Sequence, residues 1–321
     1  MSQSVKLGLA LGSGGARGLA HAGVLQVLEE EGLKPDVIAG TSMGAIVGGL
    51  YAEYPNSEVT WKRLLSYVND EEFASSWSAF ISRESGTEEE VMQSNRLHDL
   101  LDFVQRRIIA VKTVTRPFVQ SKERLSHPLE NLFQARDFAA LKVPFAAVAL
   151  DLVSGQRVVF REGNLIDAIY ASSCIPAIFP PLEKDGMFII DGGGPYRVPV
   201  EACRDMGADV VVAVDIPAFE ETKFNTGLDI ILRSNSIARQ RLNNFVLATA
   251  DLVIRPVVDD YHWADFRAGE QCRARGVEAA QAALPQIRTK LKEVKSWQHR
   301  MRKQLASLLG MLTEEPVTGV D

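Results

Sequence analysis

A serine set between glycines, a glycine-rich loop and an aspartate followed by glycines are the residues of this chain whose types and spacing suit acyl transfer. Ser42 lies in GTSMG, residues 40–44, after the apolar run Val37, Ile38, Ala39 and before a helical run at residues 45–51. A G-x-S-x-G turn between strand and helix needs small neighbours, here Gly40 and Gly44. The backbone bends under strain there and lifts the serine hydroxyl into a cleft. An attacking hydroxyl also needs a base for its proton and donors for the oxyanion. The loop from Gly12 to Gly18, GSGGARG, meets the second need. Its glycines let unhindered backbone amides converge, the next helix adds the positive end of its dipole, and Arg17 adds charge as substrate contact or as a brace. A phosphate loop would carry Lys and Ser/Thr, and a dinucleotide loop would be followed by a strand ending in an acidic residue; this chain has neither.

For the base, two candidates stand. His262 follows a late strand-like stretch, where a triad hydrolase places its histidine, but Ser42 comes after two strands and an α/β-hydrolase nucleophile after several. Asp191 ends the apolar strand at residues 187–190, and Gly192, Gly193 and Gly194 leave its side chain uncovered. Strand end before glycines is also an ordinary turn context.

The elements that must position these groups follow from hydrophobic period. Residues 6–11 read as a buried strand, and Leu19, Ala22, Val24, Leu25, Val27 and Leu28 recur at helical spacing until Gly32. Further strands are expected at residues 144–150, 157–160, 187–190, 209–214 and 251–255, with helices at 164–172 and 197–206. This alternation predicts an α/β fold with a mostly parallel sheet wrapped by helices. Between about 55 and 137 the rhythm gives way to charged, amphipathic helical stretches, read as a helical insertion over the sheet, a position suited to a lid. Residues 1–312 are read as one domain and 313–321 as a disordered tail. A helix at about 285–312 carries Ile287, Leu291, Val294, Met301, Leu305, Leu308 and Leu312 at periods of three and four, beside seven basic residues from Arg288 to Lys303. A helix docked on its own core has this stripe. Peripheral contact with an anionic membrane is the other use of such a pattern.

Composition excludes several classes. The 321 residues carry a formal net charge of −6, which argues against nucleic acid as a partner. Cys174, Cys203 and Cys272 are far apart and read as buried thiols of a reducing compartment. With no apolar run of spanning length and an N-terminus read as the first strand, a cytoplasmic protein is expected.

In order along the chain, GSGGARG, GTSMG and DGG (residues 191–193) resemble the patatin-like phospholipase family, most closely its small bacterial members. GLAHAGVLQVLEE, DLVSGQRVVF and ASSCIPAIFPPLEKDG extend the likeness, which covers residues 6–50 and 143–214. The resemblance implies a three-layer α/β/α sandwich and a Ser-Asp dyad, with Ser42 attacking an ester carbonyl and Asp191 as base. It further implies an oxyanion hole from Gly14, Gly15 and Ala16, lipid or small ester substrates, and neither metal nor cofactor. Ser13 stands where the family motif has its first glycine, and GPYRVP (194–199) where members carry GLxNNxP; these departures bear on loop seating and substrate fit. The competing reading is a regulatory or scaffolding protein with a vestigial site. Ile175, Ile178, Phe179 and Met187 are the expected walls of an acyl pocket.

Overall fold

The computed structural model describes residues 5–70, 117–216 and 227–313, together with Phe73 and Trp77. Its centre is an eight-stranded mixed sheet with helices on both faces. Strands β1 (Leu7–Leu11), β2 (Val37–Thr41), β3 (Phe145–Asp151), β7 (Val210–Val214) and β8 (Leu252–Ile254) run parallel in the order β3-β2-β1-β7-β8. The other three are antiparallel: β4 (Arg157–Phe160) on β3, β6 (Met187–Asp191) on β3, and β5 (Leu182–Lys184) on β6. β1, β2 and β7 are buried at every position, as strands covered on both faces must be.

Side-chain alternation along these strands sorts the apolar residues into two cores. Leu7, Leu9 and Leu11, with Val210, Val212, Val214 and Phe145, join a larger core with helices α1 (Ala20–Glu30), α2 (Met43–Glu53), α3 (Ser57–Val68), α4 (Glu123–Leu132) and α5 (Leu165–Ser173). Ala10, Ala39, Val148, Val211 and Ala213 face a smaller core beneath α6 (Val200–Asp205), reached also by Leu247 of α7 (Gly227–Leu247). Two cores on one sheet make the three layers.

One detail of register builds the site. β3 pairs with β4 over residues 147–150 along one edge. Its other edge pairs first with β2, as far as Thr41 opposite Val148, and then with β6, beginning at Asp191 opposite Ala149. β2 and β6 therefore share an edge of β3 end to end and point at each other, so the residue after Thr41 and the last residue of β6 must meet.

The helix α8 runs from Gly269 to Thr313, starting well before the expected residue 285. Residues 269–284 hold Ala, Arg, Gln and Glu, good helix formers with a weak apolar period, and Pro285 is accommodated within the helix. α8 lies against α1 at two glycines: a Cβ on Gly23 would collide with the Arg273 carbonyl, and one on Gly276 with the Ala20 carbonyl. Ile287 is fully buried, Arg288 pairs with Glu31, and Lys290 reaches Asp251 at 3.2 Å. This part of the terminal helix is docked on the body. The regular structure in the described parts of the 55–137 insertion is helical, α3 and α4, apart from isolated bridges at Phe118 and Asp137; residues 71–72, 74–76, 78–116 and 314–321 lie outside the described residues. Sequence period missed β5 and α7. Among the described residues no helix is long and apolar enough to cross a membrane.

Candidate active site

Ser42 sits between β2 and α2 with φ 56° and ψ −124°, one of three described non-glycine residues with positive φ. Such backbone costs about 1–3 kcal/mol and persists where the surroundings impose it. Here they do. A Cβ on Gly40 would strike the Gly44 carbonyl, and one on Gly44 the Leu11 carbonyl. The Ser42 amide donates to the Ser172 hydroxyl at 3.0 Å, and that hydroxyl donates to the Val148 carbonyl at 2.7 Å. The elbow is thereby tied to β3 at the point where β2 stops.

Asp191 arrives from the opposing strand end. Its carboxylate accepts a hydrogen bond from the Gly193 amide at 2.7 Å, and the Ser42 hydroxyl beside it acts to lower its pKa. Gly192 passes directly over the junction, where a Cβ would lie 3.0 Å from the Val148 carbonyl and 3.3 Å from Thr41 Cγ2. Burial raises the Asp191 pKa from 3.8 to about 6, against the lowering effects of the Ser42 hydroxyl, the Gly193 hydrogen bond and the nearby Arg197.

The glycine loop forms the facing wall. After β1 it is held by the Gly12 amide on the Val214 carbonyl (3.0 Å) and the Ser13 amide on the Arg197 carbonyl (2.9 Å). Ser13, in place of the family's first glycine, is buried against Gly193. A short 3-10 turn, Gly15–Leu19, follows, with Gly15 at φ 56°. The amides of Gly14 and Gly15 donate to nothing among the described residues, and both residues line the cavity at Ser42. Ala16 departs from expectation: its amide donates to the Trp263 carbonyl at 2.7 Å, so it is spent on anchoring the loop. His21 adds a second anchor. Fully buried, with its pKa lowered by burial from 6.5 to about 4, it is neutral and donates from Nε2 to the Gly12 carbonyl at 2.7 Å.

A cavity of about 510 Å³ opens over Ser42 and Asp191. Leu150, Ile175, Pro176 and Ile190 make one wall apolar, while Arg17, Arg197 and Arg239 make the other cationic. Arg17 is buried with Nε and Nη1 unpartnered among the described residues; burial, then repulsion from Arg197, lowers its pKa to about 10. Arg197 is held by the Ile216 carbonyl and by Asp215 at 3.6 Å. Of the expected acyl walls only Ile175 lines this cavity; Ile178 and Phe179 are buried in the core and Met187 packs against it. Behind Ser42, Tyr67, Phe73, Trp77 and Phe266 close an apolar cleft with room for about 20 Å³.

His262 does not line the cavity. Its Nδ1 accepts the Ala264 amide at 3.2 Å in a local turn, and burial followed by the charge of Arg17 lowers its pKa. Asp191, the other candidate, lines the cavity together with Ser42. Arg197, Arg239 and Trp263 were missed by sequence reading. Arg197 stands six residues after Asp191 in the departure GPYRVP, which was the available signal; Arg239 and Trp263 come from regions without a motif.

Residues 9–204 match the family model described as patatin-like phospholipase. The chain belongs to the patatin-like phospholipase family. It is 32% identical over 218 residues to a patatin-like phospholipase domain-containing protein of Caenorhabditis elegans, covering 67% of this chain and 14% of that protein. It is 31% identical over 222 residues to human patatin-like phospholipase domain-containing protein 6, covering 68% of this chain and 14% of that one. An uncharacterized NTE family protein of Mycobacterium tuberculosis is 34% identical over 219 residues, 68% of this chain and 51% of its own. The chain thus spans between about one seventh and one half of these relatives. Among solved structures, VipD from Legionella pneumophila aligns with a TM-score of 0.46 at 12% identity, over 88% of this chain and 67% of that one. Family membership supports a hydrolase of lipid esters.

Proposed function

We propose that this patatin-like protein is a serine acyl-ester hydrolase that works through a Ser42-Asp191 dyad. The observation that carries this reading is that abutting strand ends bring Ser42 and the buried Asp191 together in one cavity, whose lining also holds Gly14 and Gly15, with amides that donate to nothing among the described residues. In the first half-reaction Ser42 Oγ bonds to the ester carbonyl carbon as its proton passes to Asp191. The carbonyl oxygen takes the negative charge and is held by Gly14 and Gly15 amides, aided by the N-terminal end of α2. Collapse breaks the bond to the alcohol, which leaves with the proton from Asp191. In the second half, water attacks the acyl-Ser42 ester, gives its proton to Asp191, and the acid departs as Ser42 recovers its hydrogen.

A carboxylate of ordinary pKa is a weak base for a hydroxyl. Burial, which raises Asp191 to about 6, improves the match to neutral pH. The apolar wall of Leu150, Ile175 and Ile190 receives the acyl chain, and the cationic wall the polar head of an acyl lipid. A fluorophosphonate probe tests the chemistry. Wild type should label at Ser42, and labelling should vanish in Ser42→Ala and Asp191→Asn; a folded Asp191→Asn protein that labels at the wild-type rate sinks the dyad.

A further inference from the structure

The cavity mouth is framed by apolar side chains that face water. Leu150 and Ile190 are a cross-strand pair in the cavity wall. The next pair outward on the same sheet face is Leu152 and Phe188, joined by the Leu152 amide on the Phe188 carbonyl at 2.9 Å, and both are exposed. Val153 beside them is 67% exposed. Across the mouth, α7 contributes Arg239 and half-buried Ser236 to the lining. It is held from below by Leu247 and by Asn243, which is buried and donates to Asp215 at 3.1 Å. Most of the other described side chains of α7 are exposed. Ile230, Ile231, Ile237, Leu242 and Phe245, the last 75% exposed, fall within an arc of about 140° at about 100° per residue, with Arg241 inside that arc and exposed Leu232 outside it.

We infer that α7, with the Leu152, Val153 and Phe188 corner, is a docking surface for an anionic lipid bilayer that sets the mouth of the Ser42 cavity against the membrane. Charge selects this occupant. Arg241 is exposed within that arc and Arg239 is exposed at the cavity edge, positive charge that anionic headgroups complement. A second copy packed α7 to α7 would bring these arginines together. Separate apolar side chains interspersed with arginine suit insertion at the headgroup boundary. Position agrees: the surface is continuous with the cavity walls, and an acyl chain leaving a bilayer would pass Leu152 and Phe188 before Leu150 and Ile190. The terminal helix α8, by contrast, has Arg288 and Lys290 paired with the body. The choice of lipid rests on the proposed reaction, so binding is to be measured apart from it.

The experiment is co-sedimentation of the full chain, in a Ser42→Ala background, with vesicles of phosphatidylglycerol and phosphatidylcholine and with vesicles of phosphatidylcholine alone. Binding should favour the anionic vesicles and weaken about tenfold or more in Ile231→Ser/Phe245→Ser and in Arg241→Glu. In the Ser42 protein the same substitutions should leave hydrolysis of p-nitrophenyl butyrate unchanged, which also reports folding. Absence of anionic-vesicle binding, or binding that survives both variants, overturns the proposal. So does a wild-type dimer, seen by light scattering, that either variant converts to monomer. Vesicle binding without fluorophosphonate labelling would sink the reaction and leave the docking surface standing.

Discussion

The two sides of the Ser42 cavity are built on opposite principles. On the strand-end side, Ser42 and Asp191 are held by collisions that leave no alternative: glycines with no room for a Cβ, a positive-φ serine, and two strands abutting on one edge of β3. On the helical side, Arg239 projects from an exposed helix that meets the body chiefly through Asn243 and Leu247. The first arrangement is rigid because displacing any atom costs packing; the second is set by a few polar contacts and by what lies outside. In the proposed reaction, geometry belongs to the rigid side and substrate choice to the loose one.

The largest expected effect is on the rigid side. Asp191→Asn should lower kcat/KM by about three orders of magnitude or more, as loss of a group acting in concert with the nucleophile does. The same change should stabilise the fold. The folded pKa of Asp191 is raised, from 3.8 to about 6, so the stability contributed by its protonated form is lost as pH rises through that window. Removing the buried charge returns about 3 kcal/mol at neutral pH, readable as a higher Tm. For the wild type, kcat/KM should fall below an apparent pKa near 6, where Asp191 is protonated and cannot accept the Ser42 proton. A flat profile from pH 5 to 8 would break the assignment.

His21 should give the next effect. Its folded pKa is lowered, so its contribution is fully present above 6.5 and lost as pH falls toward 4. Denaturant unfolding should lose about 3 kcal/mol across that window, and His21→Gln should flatten the slope. On the loose side, Arg239→Ala should raise KM for a lysophospholipid about tenfold while leaving small neutral esters nearly unaffected. Smallest of all, Ile231→Ser and Phe245→Ser should each shift stability by less than about 0.5 kcal/mol in urea titrations, since both are already in water. A loss of several kcal/mol there would make α7 part of the core and erase the contrast.

Legibility followed the same division. The elbow, the glycine loop and Asp191 could be read because their chemistry demands particular residues at short spacing, and β1, β2 and β7 because both-face burial writes continuous apolar runs. Ala16 was misplaced as an oxyanion donor because an amide's availability depends on its acceptor, here the carbonyl of Trp263, about 250 positions along the chain. α7 and α8 are both amphipathic and basic in sequence. Only the contacts distinguish them: α8 is drawn onto α1 at Gly23 and Gly276, whereas α7 keeps its apolar arc in solvent.

What this chain's sequence determined alone is the local chemistry: a strained serine between glycines, an aspartate at a strand end before glycines, a loop of small residues before a helix. Those depend on steric rules acting over a few bonds. The tertiary structure alone decided that β2 and β6 meet nose to nose on β3, that Asp191 and not His262 lines the cavity with Ser42, and that Arg197 and Arg239 face the same cavity. Each of these is a contact between distant segments, set by strand register and packing, which local residue pattern does not encode.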